Sequence, residues 1–338
     1  MIESAVPPRP PAWEERWASR LFLFLSPHLP RTPQLDPPAE LAPWRSVLVP
    51  RLERGGSLAA TWYEAGGAGP PRGAVLLLHP WVVWGKAYFH LRGRIEALRA
   101  AGYHALALDF SGFGASPPPD GFFDGDVASG LAFLRQRVGD LPLHVWGVSS
   151  GGYWAHLALS RSGGVAGAMF EDVPNHLVEW SWRMEPRRRP GHLCIRTFFS
   201  RAYRFLDLRR HAPALRPAAV AYVSGAEDLG ARPQDTRELA ERAGGRHLVV
   251  AGAKHLGAIK QARDEVIALA LDTFSRAEER PVRQPVEGAA APCSAGSRRP
   301  FLARGKTAPQ GAARGTRCGE EPRRARPRAA RFRLRQRR

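Results

Sequence analysis

One serine in this sequence stands in a pattern that could make it a nucleophile. Residues 143–157 read LHVWGVSSGGYWAHL, which places Ser149 between Gly147 and Gly151 in the pattern Gly-x-Ser-x-Gly. The apolar run before the turn predicts a buried strand, and a helix is predicted from about Tyr153. The turn between them strains the serine backbone, and the flanking glycines allow strand and helix to approach closely. We therefore expect the hydroxyl of Ser149 to be held above the edge of a sheet.

Such a hydroxyl needs two partners before it can react. A serine hydroxyl is a poor nucleophile at neutral pH, so a histidine must accept its proton and a carboxylate must orient that histidine. Because loops that follow parallel strands meet at one edge of the sheet, the partners should lie in such loops.

The elements that would position these residues alternate regularly along the chain. Residues 45–64 alternate apolar and polar side chains around a Gly-Gly pair, which predicts an antiparallel hairpin. The next apolar runs predict strands at 74–79, 104–109, 143–148, 165–170, 218–224 and 247–250. Helices are predicted at 88–100, 127–138, 233–243 and 258–277, and after the serine turn to residue 159. This order predicts an α/β fold with a mostly parallel central sheet flanked by helices.

Three regions of different composition divide the chain. We assign residues 1–44 to an N-terminal extension with one amphipathic helix, and residues 45–278 to the α/β domain. Within that domain, about residues 172–217 interrupt the regular alternation of strands and helices with a segment rich in tryptophan, phenylalanine and arginine, and a helical cap is predicted there. Residues 279–338 lose periodicity and are predicted to be a disordered, arginine-rich tail.

The helix in the N-terminal extension has two interpretations. Its aromatic and aliphatic residues fall on one face, at Trp13, Trp17, Leu21, Phe24 and Leu25. The first interpretation is a strap that packs on the core. The second is an interfacial helix that meets lipid, which the tryptophans favour and the acidic pair Glu14 and Glu15 opposes.

The net charge of +19 is concentrated in the tail. Residues 281–338 hold sixteen basic and three acidic residues, so they carry +13, and the first 280 residues carry +6. A basic tail could contact an anionic partner, but a solvated, dispensable tail is the preferred interpretation. No specific nucleic-acid partner is therefore predicted.

Cysteine content and hydropathy bear on the compartment. The three cysteines, Cys194, Cys293 and Cys318, form no C-x-x-C pair, so neither a disulfide framework nor a zinc site is expected. The apolar run 21–25 is too short to span a bilayer and follows two acidic residues. A cytoplasmic protein without a transmembrane segment is predicted.

Five features in order resemble the α/β-hydrolase fold, in particular its capped serine esterases and peptidases. They are His79-Pro80-Trp81 after a strand, the loop 109–116, the Gly-x-Ser-x-Gly turn, and the segments 225–228 and 252–255. The resemblance covers about residues 45–277 and leaves out the N-terminal extension and the tail.

The resemblance implies the chain order serine, acid, histidine. Asp228 follows its predicted strand by four residues, at the carboxyl edge of the sheet, and is the expected acid. Capping of the following segment is the alternative role for Asp228. Asp172 is the rival acid, since some members of the superfamily place the acid after the preceding strand.

For the base, two histidines follow Asp228. His247 begins a strand and therefore belongs at the opposite edge of the sheet, whereas His255 lies in a loop five residues after that strand. His255 is the expected general base. His156, on the helix after the serine, is interpreted as a packing or surface residue.

An oxyanion hole requires two backbone N–H groups. Ser150, directly after the nucleophile, would supply one, and the resemblance assigns the other to Trp81. Here Pro80 replaces the glycine that the family usually has, but the donor position falls on Trp81 and keeps its N–H. His79 is interpreted as a structural hydrogen-bonding residue.

These residues predict a serine hydrolase of the carboxylesterase type, acting through an acyl-serine intermediate on a small-molecule acyl substrate. Amides and thioesters are less favoured substrates, and no metal or organic cofactor is implied. A non-catalytic binding protein with the same fold, or an acyltransferase with the same three residues, remains the alternative. The sequence does not define the oligomeric state.

Overall fold

An eight-stranded sheet forms the centre of the computed structural model, which describes residues 6–24, 37–67, 69–81 and 84–279. The strands are β1 (Trp44–Pro50), β2 (Ser57–Tyr63), β3 (Gly73–Leu78), β4 (Tyr103–Leu108), β5 (Leu143–Val148), β6 (Gly167–Glu171), β7 (Ala219–Gly225) and β8 (Arg246–Val250). Their order across the sheet is β1-β2-β4-β3-β5-β6-β7-β8. The pairings from β4 to β8 are parallel, and β1 and β2 form the predicted antiparallel hairpin, which joins the sheet at β4. The predicted fold class is confirmed.

Helices cover both faces of this sheet. They are α1 (Ala12–Phe24), α2 (Arg94–Ala100), α3 (Asp124–Val138), α4 (Ser150–Ser162), α5 (Leu177–Met184), α6 (Arg189–Phe198), α7 (Ser200–Phe205), α8 (Pro233–Ala243), α9 (Ala258–Gln261) and α10 (Arg263–Glu278). Short 3-10 helices lie at Ala39–Leu41, Gly85–His90, Pro186–Arg188, Leu208–Arg210 and Ala212–Ala214. None of the helices in the described part of the chain is long and apolar enough to cross a membrane.

Two predicted helices are divided in the structure. The predicted helix 88–100 becomes a 3-10 helix and then α2, because Arg92 and Gly93 adopt φ values of 68° and 72°, outside the right-handed helical region. The predicted helix 258–277 is divided at Ala262, whose φ of −130° separates α9 from α10. These breaks depend on single backbone angles that side-chain periodicity does not report.

The alternation of side chains along each strand builds two cores. Leu76 pairs with Leu106 and Val145, and all three face one side of the sheet, where α3 and α4 pack. The residues that follow each of them in sequence face the other side, which α2 and α10 cover. Because β3 and β5 are buried along their whole lengths, both faces must be apolar, as the continuous hydrophobic runs predicted.

Helices fill the connection between β6 and β7. This segment contains α5, α6 and α7, and its residues Leu177, Ile195 and Phe205 join the core on the α4 side of the sheet. We refer to α5, α6 and α7 as the cap. The predicted arginine-rich tail, with Cys293 and Cys318, lies outside the described residues, apart from Glu279 at its start.

A buried ion pair joins α2 to the end of β6. Arg94 and Glu171 are 0% and 1% exposed, and Arg94 Nη2 donates to Glu171 Oε1 at 2.7 Å. The guanidinium also lies over the rings of Tyr88 and Trp146, at 5.1 and 5.6 Å from their centroids. The backbone carbonyl of Glu171 accepts a hydrogen bond from the N–H of Ser149 at 2.7 Å, so this ion pair lies directly beneath the serine turn.

We expect Arg94→Met to lower the free energy of unfolding by about 3 to 5 kcal/mol, because it leaves the carboxylate of Glu171 buried without its cation. Urea denaturation followed by circular dichroism would measure this loss. The double variant Arg94→Met/Glu171→Met should recover most of the stability, since no unpaired charge remains. A loss below about 1 kcal/mol in the single variant would show that the pair is not important for stability.

Candidate active site

The turn between β5 and α4 holds Ser149 in a conformation that few residues adopt. Its φ of 50° and ψ of −118° lie outside the regions allowed for most side chains. The neighbouring glycines are sterically required: a Cβ at Gly147 would lie 2.5 Å from the Cα of Gly152. A Cβ at Gly151 would lie 2.1 Å from the carbonyl oxygen of Leu78. The close approach of strand and helix therefore exists as the sequence pattern predicts.

A chain of hydrogen bonds connects three of the predicted site residues. Ser149 Oγ lies 2.9 Å from His255 Nε2, and His255 Nδ1 lies 2.7 Å from Asp228 Oδ2. Asp228 follows β7 and His255 follows β8, so both loops leave the carboxyl edge of the sheet, next to the serine turn. With a carboxylate at Nδ1, the histidine would carry its proton there and present Nε2 to the serine as a proton acceptor.

Backbone amides fix the orientation of Asp228. Its Oδ1 accepts hydrogen bonds from the N–H groups of Gly230 and Ala231, at 2.7 and 2.9 Å. The side chain of Asp228 is fully buried, whereas that of His255 keeps 24% of its surface exposed. The other carboxylate oxygen, Oδ2, faces the imidazole. Because only the histidine is partly exposed, a reactant could reach it while the carboxylate stays shielded from water.

The pKa of His255 is raised above its ordinary value. Burial by itself would lower this pKa, but the hydrogen bond and negative charge of Asp228, with a smaller contribution from Asp172, outweigh it. The surroundings therefore stabilise the imidazolium, which is the form that a general base must reach after taking a proton.

Asp172, the rival acid, has a different set of partners. Its Oδ1 accepts from the N–H of Gly225 at 3.1 Å, and its Oδ2 accepts from the N–H of Leu256 at 2.8 Å. Both Asp172 and Leu256 have positive φ values, 50° and 61°. Burial raises the pKa of Asp172 to about 7. Asp172 thus ties the loops after β6, β7 and β8 together, while Asp228 contacts the histidine ring nitrogen.

The two predicted oxyanion residues line one small cavity. Trp81 and Ser150 border a space of about 10 Å³, and five further side chains form its other walls: His79, Phe110, Phe113, Phe123 and Trp154. Such a volume holds about one water molecule. The ring of Trp81 packs edge-on against Phe113 and Phe123, with centroid distances of 6.3 and 5.6 Å. Val82 and Val83, two further residues of this loop, lie outside the described residues.

A buried ion pair anchors the segment that follows Trp81. Lys86 donates from its backbone N–H to Asp109 Oδ1 and from Nζ to Asp109 Oδ2, both at 2.7 Å. The carboxylate of Asp109 is thereby occupied by the protein itself. His79 accepts at Nε2 from the N–H of Phe110 at 3.3 Å, and its Nδ1 lies 2.8 Å from the carbonyl oxygen of Pro80. The structural role predicted for His79 fits these contacts.

Two residues of α5 make contacts near the site that the sequence did not identify individually. Trp180 on α5 places its ring 6.2 Å from that of His255, and Arg183 Nη2 donates to the carbonyl of Gly230 at 2.8 Å. Their position depends on how the cap folds over the sheet edge, for which the sequence carries no signal. His156 is fully buried among Phe170 and Tyr222, which fits the packing role.

Within the described ranges, one group of side chains has the composition of a metal site. Asp172, Asp228 and His255 bring ligand atoms within 4.8 Å of one another. Each of the carboxylate oxygens already accepts a hydrogen bond from the protein, and His255 Nδ1 is paired with Asp228. A metal would have to displace these donors, so the arrangement fits a proton-transfer chain better than a metal centre.

Comparisons with known proteins agree with the fold. Residues 69–179 match the serine aminopeptidase family S33. The structure is similar to an esterase from Pyrococcus furiosus, with a TM-score of 0.60 and 20% identity over 73% of this chain and 96% of the esterase. No curated protein sequence matches the chain.

Two larger peptidases are also similar in structure. An acylaminoacyl peptidase from Pyrococcus horikoshii aligns with a TM-score of 0.54 and 13% identity, over 72% of this chain and 42% of the peptidase. A puromycin-hydrolyzing peptidase from Mycobacterium tuberculosis aligns with a TM-score of 0.55 and 17% identity, over 74% of this chain and 42% of the peptidase.

Sheet order, serine turn and comparisons together define the class of protein. The chain is an α/β protein with a serine turn at the carboxyl edge of a mostly parallel sheet. It has the α/β-hydrolase fold.

Titration of His255 followed by NMR would test the pKa analysis. In the wild-type protein the midpoint should lie above that of an unperturbed histidine. Asp228→Asn should move it below the wild-type midpoint, because burial persists while the main stabilising charge is lost. Asp172→Asn, the matched control, should give a smaller downward shift. An unchanged midpoint in Asp228→Asn would contradict the assignment of Asp228 as the main partner.

Proposed function

We propose that this protein is a serine hydrolase that cleaves a carboxylic ester through an acyl-serine intermediate. The observation that carries the proposal is the hydrogen-bonded chain from Ser149 through His255 to Asp228 at the carboxyl edge of the sheet. The match to a serine aminopeptidase family and the similarity to esterases and peptidases support a hydrolase.

In the first half-reaction, Ser149 Oγ attacks the ester carbonyl and His255 Nε2 takes the hydroxyl proton. The new imidazolium remains hydrogen-bonded to Asp228, whose negative charge stabilises it. His255 then gives the proton to the departing alkoxide, so that an alcohol leaves and the acyl group stays on Ser149.

The negative charge on the carbonyl oxygen needs donors during this attack. We assign them to the backbone N–H groups of Trp81 and Ser150, which border the small cavity beside the serine. The N–H of Ser150 is the first of α4, where the helix leaves its initial N–H groups without partners and where its dipole favours an anion.

In the second half-reaction, water replaces the alcohol. His255 removes a proton from water, hydroxide attacks the acyl carbon, and the proton returns to Ser149 as the acid is released. Each step uses side chains and amides of this chain and a water molecule. An amide is the second candidate for the cleaved bond, because the matching family and two similar structures are peptidases.

Labelling with a fluorophosphonate would test the activated serine. The hydroxyl oxygen of Ser149 should form a bond to phosphorus and displace fluoride, which intact mass would show as one adduct. Peptide mapping should place it on Ser149, and Ser149→Ala should remain unlabelled. An adduct on another residue, or none on folded wild-type protein, would favour a non-catalytic binding protein instead.

Hydrolysis of a short p-nitrophenyl ester would separate the two carboxylates. We expect Asp228→Asn to lower kcat by a factor on the order of 10⁴, because the imidazole loses the orientation and charge that its partner supplies. Asp172→Asn keeps one acceptor for the loop amides and should lower kcat by no more than about tenfold. A greater loss in Asp172→Asn than in Asp228→Asn would assign the acid to Asp172.

A further inference from the structure

The outward face of α1 carries two tryptophans and two arginines. Trp13 and Trp17 are 55% and 57% exposed, and Arg16 and Arg20 are exposed between and beyond them. The spacing of three and four residues places all four on one side of the helix. The guanidinium of Arg20 lies over the ring of Trp17 at 5.7 Å. Exposed indole rings of this extent are unusual on a surface that contacts only water.

The two glutamates of α1 point into the protein. Glu14 and Glu15 are each 4% exposed. Glu14 Oε1 accepts from the N–H of Ala202 at 2.8 Å, and Glu15 Oε1 accepts from the N–H of Phe122 at 3.0 Å. Arg9 and Arg54 form ion pairs with Glu15 at 2.8 and 3.2 Å. The acidic residues that oppose an interfacial helix in the sequence are therefore used internally, and the outward face is free of them.

The neighbouring cap helices continue this surface. The ring of Trp13 packs against that of Phe199, with a distance of 6.5 Å between the ring centroids. This contact joins α1 to the junction of α6 and α7. On α6, Leu193 and Phe198 are 54% and 72% exposed. From residue 186 to residue 206 the chain contains six arginines and no acidic residue. We define the aromatic-arginine face by the exposed side chains of α1, with Phe198 of α6 beside Phe199: Trp13, Arg16, Trp17, Arg20 and Phe198.

Charge and shape identify the partner of this face. Tryptophan places its indole ring at the boundary between hydrocarbon and headgroups, and arginine is attracted to anionic headgroups. Among the described residues, no carboxylate forms an ion pair with Arg16 or Arg20. We propose that the aromatic-arginine face binds the surface of an anionic lipid bilayer, with α1 lying in the interface rather than crossing it.

Other occupants fit the face less well. A second copy of the chain would bring the arginines of one face against those of the other, and the segment 281–338 carries +13 and would likewise repel them. A nucleic acid would satisfy the arginines and could stack its bases on the exposed rings, so the test below includes an oligonucleotide to separate this occupant from lipid. A bilayer accepts both the apolar and the cationic side chains.

Tryptophan fluorescence with lipid vesicles tests the proposal on the full chain. The probe is vesicles of equal parts phosphatidylcholine and phosphatidylglycerol, with a brominated phosphatidylcholine as quencher. Vesicles should shift the emission of the wild-type protein to shorter wavelength and quench it. The tail contains no tryptophan, so binding by the tail alone would not produce this signal. The double variant Trp13→Ala/Trp17→Ala should lose the shift, whereas Trp84→Ala, which removes a tryptophan that is 48% exposed outside the face, should keep it.

A charge-matched pair of variants tests the electrostatic part. Arg16→Gln/Arg20→Gln should lower the partition coefficient on these vesicles by about 25-fold, since each arginine near an anionic surface contributes a factor of about five. Arg237→Gln/Lys260→Gln removes the same amount of charge from α8 and α9, and it should lower the partition coefficient by far less. Circular dichroism confirms that each variant is folded.

Five results would overturn the proposal. They are equal quenching in the wild type and the Trp13→Ala/Trp17→Ala variant, equal binding of the two charge-matched variants, and equal binding to vesicles of phosphatidylcholine alone. The fourth is a dimer, seen by sedimentation without lipid, that Trp13→Ala/Trp17→Ala abolishes. Displacement of the bound protein from vesicles by a short oligonucleotide, lost in Arg16→Gln/Arg20→Gln, would assign the face to nucleic acid instead.

Discussion

The site depends on a steric constraint at one turn. The start of α4 passes so close to β5 at Gly147, and to the end of β3 at Gly151, that neither glycine could carry a side chain without a clash with the backbone. Ser149, the residue between them, takes the strain, which costs on the order of 1 to 3 kcal/mol for such a conformation. The hydrogen bond from its N–H to Glu171 holds it there, and the buried pair of Glu171 with Arg94 supports that contact from below. The position of the serine hydroxyl is therefore set by packing throughout the sheet rather than by its own loop.

Two carboxylates near one histidine have to be distinguished by their surroundings. Burial, with smaller contributions from the negative charges of Glu171 and Asp228, raises the pKa of Asp172 to about 7, so part of the Asp172 population is uncharged near neutral pH. Asp172 is bonded to amides of two loops, and Asp228 is turned toward the imidazole by the amides of Gly230 and Ala231. The different roles of the two carboxylates follow from the backbone N–H groups that each loop presents to them. Residue type alone does not contain that information.

The same limit explains what the sequence could predict. Apolar periodicity was sufficient to predict the strands and a mostly parallel sheet, and the serine pattern was sufficient to single out Ser149, because these signals are local. Asp228 and His255 were selected by the chain order that the resemblance implies, together with their places after strands at the sheet edge. Three kinds of feature were not predicted. The breaks within two helices depend on single backbone angles. The ion pairs of Arg94 with Glu171 and of Lys86 with Asp109 join residues that are distant in sequence. The contact of Trp180 with His255 depends on how the cap folds.

The N-terminal helix shows how far such pairings can change the interpretation of a sequence. Counted by residue type, Glu14 and Glu15 make α1 a poor candidate for a lipid surface. In the structure, each glutamate accepts a hydrogen bond from a backbone N–H inside the protein. Glu14 and Glu15 therefore fix which side of the helix faces the core. The tryptophans and arginines are then turned outward as a consequence. Because Glu14 is bonded to α7 and Trp13 contacts Phe199, the helix is attached to the same cap whose Trp180 lies beside His255. A partner on the outer surface of the cap would thus act on an element that borders the candidate active site on its inner surface.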